Sequence, residues 1–242
     1  MTQATAEVHS FEVGDEFPEE YAKLLFKLLT EHGEVITSPS YMAFIQRLLD
    51  AGMAMAPSEM ERVRSANFYA EEVRHGYIFH NLLQELGWGG IPEESSAVKF
   101  EAFNLPMDTW CDLAYLNCLT DRVGVYQARE WVVSSYQPLA RISGGIVRDE
   151  RGHSNLGYQR LKNHCKTEAG LREANQKLKS WWPAALDMFG RSDSRRNERY
   201  QYWGLKQHGN EELRQEYIAE TVPLLANLGL DVPDTTTGRK YL

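Results

Sequence analysis

Apolar residues recur at steps of three and four along most of this chain, and no segment alternates apolar and polar residues for the length of a strand. A chain with that period buries itself by laying helical stripes against one another. A first helix is expected over about 18–36, starting at the acidic turn Pro18-Glu19-Glu20 and broken by Thr37-Ser38-Pro39-Ser40. The short helix SYMAFIQRLLDAG follows. Ser58 with Glu61 three residues on has the pattern of a capping box, opening a helix that GWGGIP stops near Leu86. Helices are expected next over about 107–133 and 137–165, then over about 169–188, 193–205 and 210–229, the last opened by Asn210. Four of these are long; a helix of about 28 residues spans about 42 Å. Long helices with short connections pack best as an antiparallel four-helix bundle, here with additional C-terminal helices. The class is all-α, one domain over residues 1–242, with flexible tails at about 1–16 and 232–242.

Charge and composition narrow the function. Lys and Arg total 26 against 34 Asp and Glu, a formal net charge of −8, which excludes a general nucleic-acid clamp. With 43% hydrophobic and 25% charged residues, the chain has the mix of a folded domain. No run is long and apolar enough for a membrane helix, and the polar, acidic first residues do not read as a secretory signal. Cys111, Cys118 and Cys165 form no CxxC, so a reducing cytoplasm and no iron–sulfur cluster are expected.

The informative feature is what interrupts the stripes. One reads Phe68, Glu72, His75, Phe79, Leu82, Leu86; another Trp110, Ala114, Cys118, Asp121, Val125, Ala128; a third Leu139, Ile142, Ile146, Glu150, His153, Gly157. Each is apolar or small except at mid-helix, where it carries acid and imidazole. An unpaired carboxylate in a dry interior costs tens of kcal/mol by Born solvation, and two neighbouring ones repel. A multivalent cation removes both penalties. Glu-x-x-His sets carboxylate and imidazole one turn apart on one face. Two copies, Glu72-Val73-Arg74-His75 and Glu150-Arg151-Gly152-His153, with one acid from each of two further helices, make the ligand set of a dinuclear carboxylate site in a bundle. Asp121 supplies one of those acids. For the other, periodicity favours Glu31, which shares a face with Leu24, Leu28 and Val35; Glu34 shares its face with Lys27 and Thr30.

Several stretches together resemble the bacterial phenylacetate-catabolism di-iron proteins. They are MAPSEMERVRSANFYAEEVRHG, LTDRVGVYQ, SSYQPLARISGGIVRDERGHSNLGYQRL, WWPAALDMFG and EELRQEYIAETVPLLANLGLDVPD, and the likeness runs from about residue 18 nearly to the end. The resemblance implies a ferritin-like fold with two iron ions held by Glu34, Glu72, His75, Asp121, Glu150 and His153, with Glu72, Asp121 and Glu150 the catalytic carboxylates. HGEVITSPSY matches the pattern around the first-helix ligand and selects Glu34. The stretch from Glu34 to Pro57 is several residues longer than in that pattern, so Glu31 stays open. Keeping at least five ligands places the chain with the catalytic members rather than with a paralogue that has lost them.

The resemblance further implies a multicomponent oxygenase that uses O2 to epoxidise or hydroxylate an aromatic acyl-CoA, a phenylacetyl-CoA-like thioester. The chain has no GxGxxG flavin or nicotinamide fingerprint and no cluster-binding cysteines, so electrons are expected from a separate NAD(P)H-dependent reductase. A paralogous ferritin-like subunit is the expected partner, within an oligomer. Two other readings stand beside this one: a non-catalytic structural subunit, and an iron oxidase of ferritin or rubrerythrin type. Glu71 and Asp149, each preceding a ligand glutamate, are either partners of ligand imidazoles across the bundle or solvated acids. Gly144-Gly145 makes room for substrate, a helical bulge or close helix packing. Cys111 and Cys118 read as small core residues, His80 as an ordinary hydrogen-bonded histidine, and Trp181-Trp182 as packing for the C-terminal helices.

Overall fold

The computed structural model describes the backbone of residues 9–37, 39–88 and 100–241, with the side chains of all these except 32–37 and 39–41. The expected N-terminal tail therefore lies outside the described residues over 1–8. The described chain is all-α, with an isolated bridge between Phe11 and Tyr136 where a sheet would otherwise be sought. The helices are α1 (Glu19–Thr37), α2 (Pro39–Met55), α3 (Glu59–Glu85), α4 (Trp110–Tyr115), α5 (Asp121–Val132), α6 (Gln137–His164), α7 (Glu168–Asp187), α8 (Arg195–Tyr202) and α9 (Asn210–Ala226).

Side-chain contacts fix the directions of the four bundle rods. At one end the start of α1 meets the end of α3, where Phe17 and Phe26 pack on Trp88. The α5–α6 connection is there too, since Tyr21 bonds Ser135 at 3.1 Å. At the other end Arg160, late in α6, bonds Glu61, early in α3, and lies over Trp110 at the start of α4. So α1 and α6 run one way, and α3 and the α4–α5 rod the other. This is the ferritin-like antiparallel bundle, with α7 packed on α4 and α6, α9 on α5, α8 tied to α1 through Arg196–Glu31 and Arg199–Glu20, and α2 laid against α1, α3 and α4.

Local chemistry accounts for the ends. Ser58 caps α3 by accepting from the Glu61 amide at 3.3 Å, and Thr167 caps α7 through the Gly170 amide at 3.0 Å. Asn210 does not cap α9. Gly209 stands at the cap, its amide held by the Glu212 carboxylate at 3.4 Å, while Asn210 Nδ2 donates to the Arg191 carbonyl. The expected single helix over about 107–133 is interrupted. Between α4 and α5 the chain widens into a π-helical turn at Leu116–Thr120. α6 comes close at that point. A Cβ built on Gly157 would lie 2.2 Å from the Cys118 amide nitrogen, so only glycine admits the approach.

The C-terminal helices dock through aromatic residues. Trp181, Trp182 and Tyr217 are buried, with Tyr217 stacked on Trp182 at 6.0 Å. Each large apolar side chain buried this way stabilises the fold by roughly 1.5–3 kcal/mol. The last residues are tied back, with the Lys240 amide donating to Asp187 at 2.7 Å. Among the described residues no helix is long and apolar enough to cross a membrane.

Candidate metal centre

The polar positions in the stripes converge. Glu72 and His75 on α3, Asp121 at the start of α5, and Glu150 and His153 on α6 are 9%, 3%, 8%, 9% and 5% exposed. Donor atoms of Glu72, Glu150 and His153 lie within 4.8 Å of one another. His153 Nδ1 stands 3.4 Å from Glu72 Oε1, and His75 Nδ1 stands 3.5 Å from Glu150 Oε1. Two donors each about 2.0–2.2 Å from one ion lie about 3 Å apart, so one cation could take both donors of each pair after small shifts. Among the described residues His153 Nδ1 is buried with no well-formed hydrogen bond, which leaves it available to a cation.

The imidazoles are oriented from outside. His153 Nε2 bonds Glu71 at 2.6 Å, and His75 Nε2 bonds Asp149 at 3.1 Å. Asp149 is itself held by Arg74 at 2.6 Å. A carboxylate accepts, so Nε2 carries a proton in each ring, which leaves Nδ1, on the interior side, as the atom a cation could take. Glu71 and Asp149 are thus the partners of the imidazoles across the bundle, one of the two alternatives open in the sequence. Their positions follow from helical geometry: one residue before a buried glutamate lies at the edge of the buried stripe.

Burial pushes the Glu150 carboxyl well above its usual range, with Glu72 and Asp121 adding to it, and pushes Asp121 up to about 7. Burial opposes protonation of His153, but Glu72, Asp121 and Glu150 together drive it up to about 10. The cluster alone is an electrostatic liability that needs protons or cations to persist. Its carboxylate and imidazole donors fit a hard or borderline divalent ion.

Glu31 does not join this group. It pairs with Lys27 at 2.9 Å and Arg196 at 3.0 Å at 38% side-chain exposure, which overturns the periodicity reading. The Glu34 side chain lies outside the described residues. Gly124 faces the cluster, since a Cβ there would sit 2.7 Å from Glu150 Oε2. Among the described residues a Cβ at Gly144 would meet nothing within 4 Å and one at Gly145 only Arg148 at 3.9 Å, so no close packing is seen there, and α6 runs through both as a regular α-helix without a bulge. Beside the cluster is a cavity of about 110 Å³, walled by Phe44, Ile45 and Leu48 of α2, Phe68, Phe79 and Ile146. Among the described residues two other sets of donors come equally close. His208, Glu212 and Glu216 are mostly exposed, and in the set Cys111, His164 and Glu173 the last two already bond each other at 3.1 Å.

Sequence reasoning did not find Asn117 or Arg160. Asn117 Nδ2 donates to Asp121 at 2.8 Å, and Arg160 Nη1 donates to Asn117 Oδ1 at 2.6 Å. Asn117 and Asp121 stand four residues apart, a spacing that brings side chains together on any helix, so that pair was open to sequence reasoning, whereas nothing marked Arg160 as reaching Asn117 from the facing helix.

The fold and the cluster define a class: ferritin-like bundle proteins with a buried carboxylate–histidine centre able to hold metal. Sequence comparison narrows this further. The pattern of the phenylacetic acid catabolic protein family matches residues 1–241, and the chain belongs to that family. It is 27% identical over 247 residues to one of the subunits of 1,2-phenylacetyl-CoA epoxidase from Escherichia coli (strain K12), covering 96% of this chain and 76% of that one.

Proposed function

We propose that this chain is the catalytic subunit of a multicomponent di-iron oxygenase that epoxidises or hydroxylates the ring of an aromatic acyl-CoA. The observation that carries the reading is the buried cluster of Glu72, Glu150 and His153, with His75 3.5 Å from Glu150 and Asp121 lining the same apolar cavity. Glu34, Glu72, His75, Asp121, Glu150 and His153 would hold the two irons. A bound ferrous pair supplies the electrons that activate O2 for transfer of one oxygen atom, and a separate NAD(P)H-dependent reductase restores them. A paralogous ferritin-like subunit is the natural partner, given the similarity to a single component of the E. coli epoxidase.

The chain's own residues do the rest. Glu71 and Asp149 keep the imidazoles in the tautomer that offers Nδ1. The apolar wall excludes water and orients a planar ring. An apolar cavity of roughly 150 Å³ takes up benzene, and this one is of the same order. Thr120 and Gln127 are the other polar residues at that wall, Gln127 already donating to the Met188 carbonyl at 3.2 Å.

The test is anaerobic loading with ferrous iron followed by metal analysis. About two irons per chain are expected for the unaltered protein, with Glu150→Ala losing them. Oxygen uptake with phenylacetyl-CoA, reductase and NADPH should follow loading. A chain that folds and never retains iron defeats the proposal. Rapid ferrous oxidation with growth of an iron core would instead favour an iron oxidase.

A further inference from the structure

Among the described residues of the cluster, Asp121 is the one that does not come from a Glu-x-x-His pair, and its surroundings differ. Behind it runs a buried chain of directional bonds. Arg160 is 3% exposed. Its Nε donates to Glu61 Oε2 at 2.8 Å, its Nη1 to Asn117 Oδ1 at 2.6 Å and its Nη2 to Ser65 Oγ at 3.5 Å. The guanidinium lies over the Trp110 ring at 4.6 Å. Each of these contacts resists rotation of the fork, and Glu61 offsets the buried charge.

The chemistry of the chain gives it a direction. An amide side chain offers oxygen at one end and NH2 at the other, and either end could face a neighbour. Arginine has donors only, so the Asn117 oxygen must face Arg160. The NH2 must then face Asp121, and it reaches Oδ2 at 2.8 Å. Arg160 therefore dictates, through Asn117, that Asp121 always meets a donor. The π-helical turn at Leu116–Thr120 and the close approach at Gly157 set α6 near enough for this.

We propose that Arg160 and Asn117 are positioning residues for the metal centre: they commit Asp121 Oδ2 to the amide and leave Oδ1 as the ligating oxygen. This rests on the di-iron reading above. Removing the amide frees the carboxylate to rotate about its last torsion, and the ion it serves is held less tightly. Partners that orient metal ligands from behind are typically worth 10–100-fold in metal affinity.

The experiment is an anaerobic titration of the full chain with Mn2+, read by calorimetry and by the electron paramagnetic resonance signal of a coupled ion pair. The unaltered protein is expected to bind two ions and give the coupled signal. Asn117→Leu, close in volume, should keep its helical circular dichroism yet bind one ion at least ~10-fold more weakly and lose most of the coupled signal. Arg160→Lys keeps a donor-only partner for the amide oxygen and should retain the signal, whereas Arg160→Met should behave like Asn117→Leu. Two ions bound by Asn117→Leu with unaltered affinity and signal would overturn the inference and leave the di-iron reading standing. An unaltered chain that binds no ion pair would sink the di-iron reading, and this inference with it. If Asn117→Leu does not fold, the arginine pair decides: loss in Arg160→Met with retention in Arg160→Lys supports the inference, and equal loading of the two overturns it.

Discussion

Protonation of single side chains sets how the centre fills. Glu150 is held well above its usual range, Asp121 is raised to about 7 and His153 to about 10, all without a cation among them. An acid with a raised pKa is protonated below that pKa, and a divalent ion must displace the proton to bind. Loading should therefore release protons, and affinity should rise with pH through about 7, where Asp121 ionises, and on toward about 10 as His153 gives up its proton. Calorimetry in buffers of different ionisation enthalpy reads the protons directly; an affinity independent of pH would show the acids already ionised. Gly124 offers a second test. A Cβ there would lie 2.7 Å from Glu150 Oε2 and 2.9 Å from its carboxyl carbon, so Gly124→Ala must displace a ligand rather than a wall. Metal content should fall sharply while Tm moves by only a few degrees, and unchanged metal content would mean that Glu150 has room to swing. At this scale the two Glu-x-x-His pairs were legible because acid and imidazole stand out on an apolar stripe. Glu31 misled because period alone does not say which flank of α1 a later helix covers. Arg196 of α8 claims it from 165 residues away.

Glycines separate elements that must touch from elements that need not. On α6, Gly157 meets backbone: its Cβ would lie 2.2 Å from Cys118 N and 2.6 Å from the Asn117 carbonyl carbon. Backbone cannot swing aside as a side chain can. Gly157→Ala should force α6 off the π-helical turn, costing at least about 1–3 kcal/mol as overpacking does. It should also disturb metal binding through Asn117. Gly144 and Gly152, on the same helix, have nothing within 4 Å of a built Cβ among the described residues. Alanine there should stabilise the isolated chain by about 0.5–1 kcal/mol each through helix propensity alone. Chemical denaturation of the three variants distinguishes these outcomes, and a stabilised Gly157→Ala would mean that the helices do not approach as described. The helices themselves were legible from period and punctuation, several to within a residue or two at each end. The π-helical turn was not, for a physical reason. Residues 111–121 are all buried, so no polar face exists against which a one-residue slip of the period could show. The stripe Ala114, Cys118, Asp121 reads the same through a regular helix.

Across the whole molecule, the C-terminal helices brace the centre as well as enlarging the core. A π-helical turn loosens the regular ladder of backbone hydrogen bonds and leaves carbonyls to be satisfied by other groups. Two are answered here. Arg122 Nε donates to the Cys118 carbonyl at 3.3 Å, and Tyr217 of α9 donates its hydroxyl to the Leu119 carbonyl at 3.2 Å. Arg122 is in turn held by Glu220, also on α9, which accepts from Tyr126 at 2.6 Å as well. Thus α9 touches no member of the cluster, yet it secures the turn that presents Asn117 and Asp121. Tyr217→Phe keeps the ring, its stacking on Trp182 and nearly all of its volume. It removes the hydroxyl that donates to the Leu119 carbonyl, at a cost of about 0.5–1.5 kcal/mol. For a domain of this size that lowers Tm by several degrees. If α9 only fills space, the variant should bind metal as the unaltered chain does. If it braces the turn, metal affinity should fall along with Tm, and supplying excess Mn2+ should recover part of the lost Tm because the ion binds only the folded form. Measuring Tm with and without Mn2+ separates the two, and a Tyr217→Phe chain matching the unaltered one in both conditions would remove α9 from any part in holding the site.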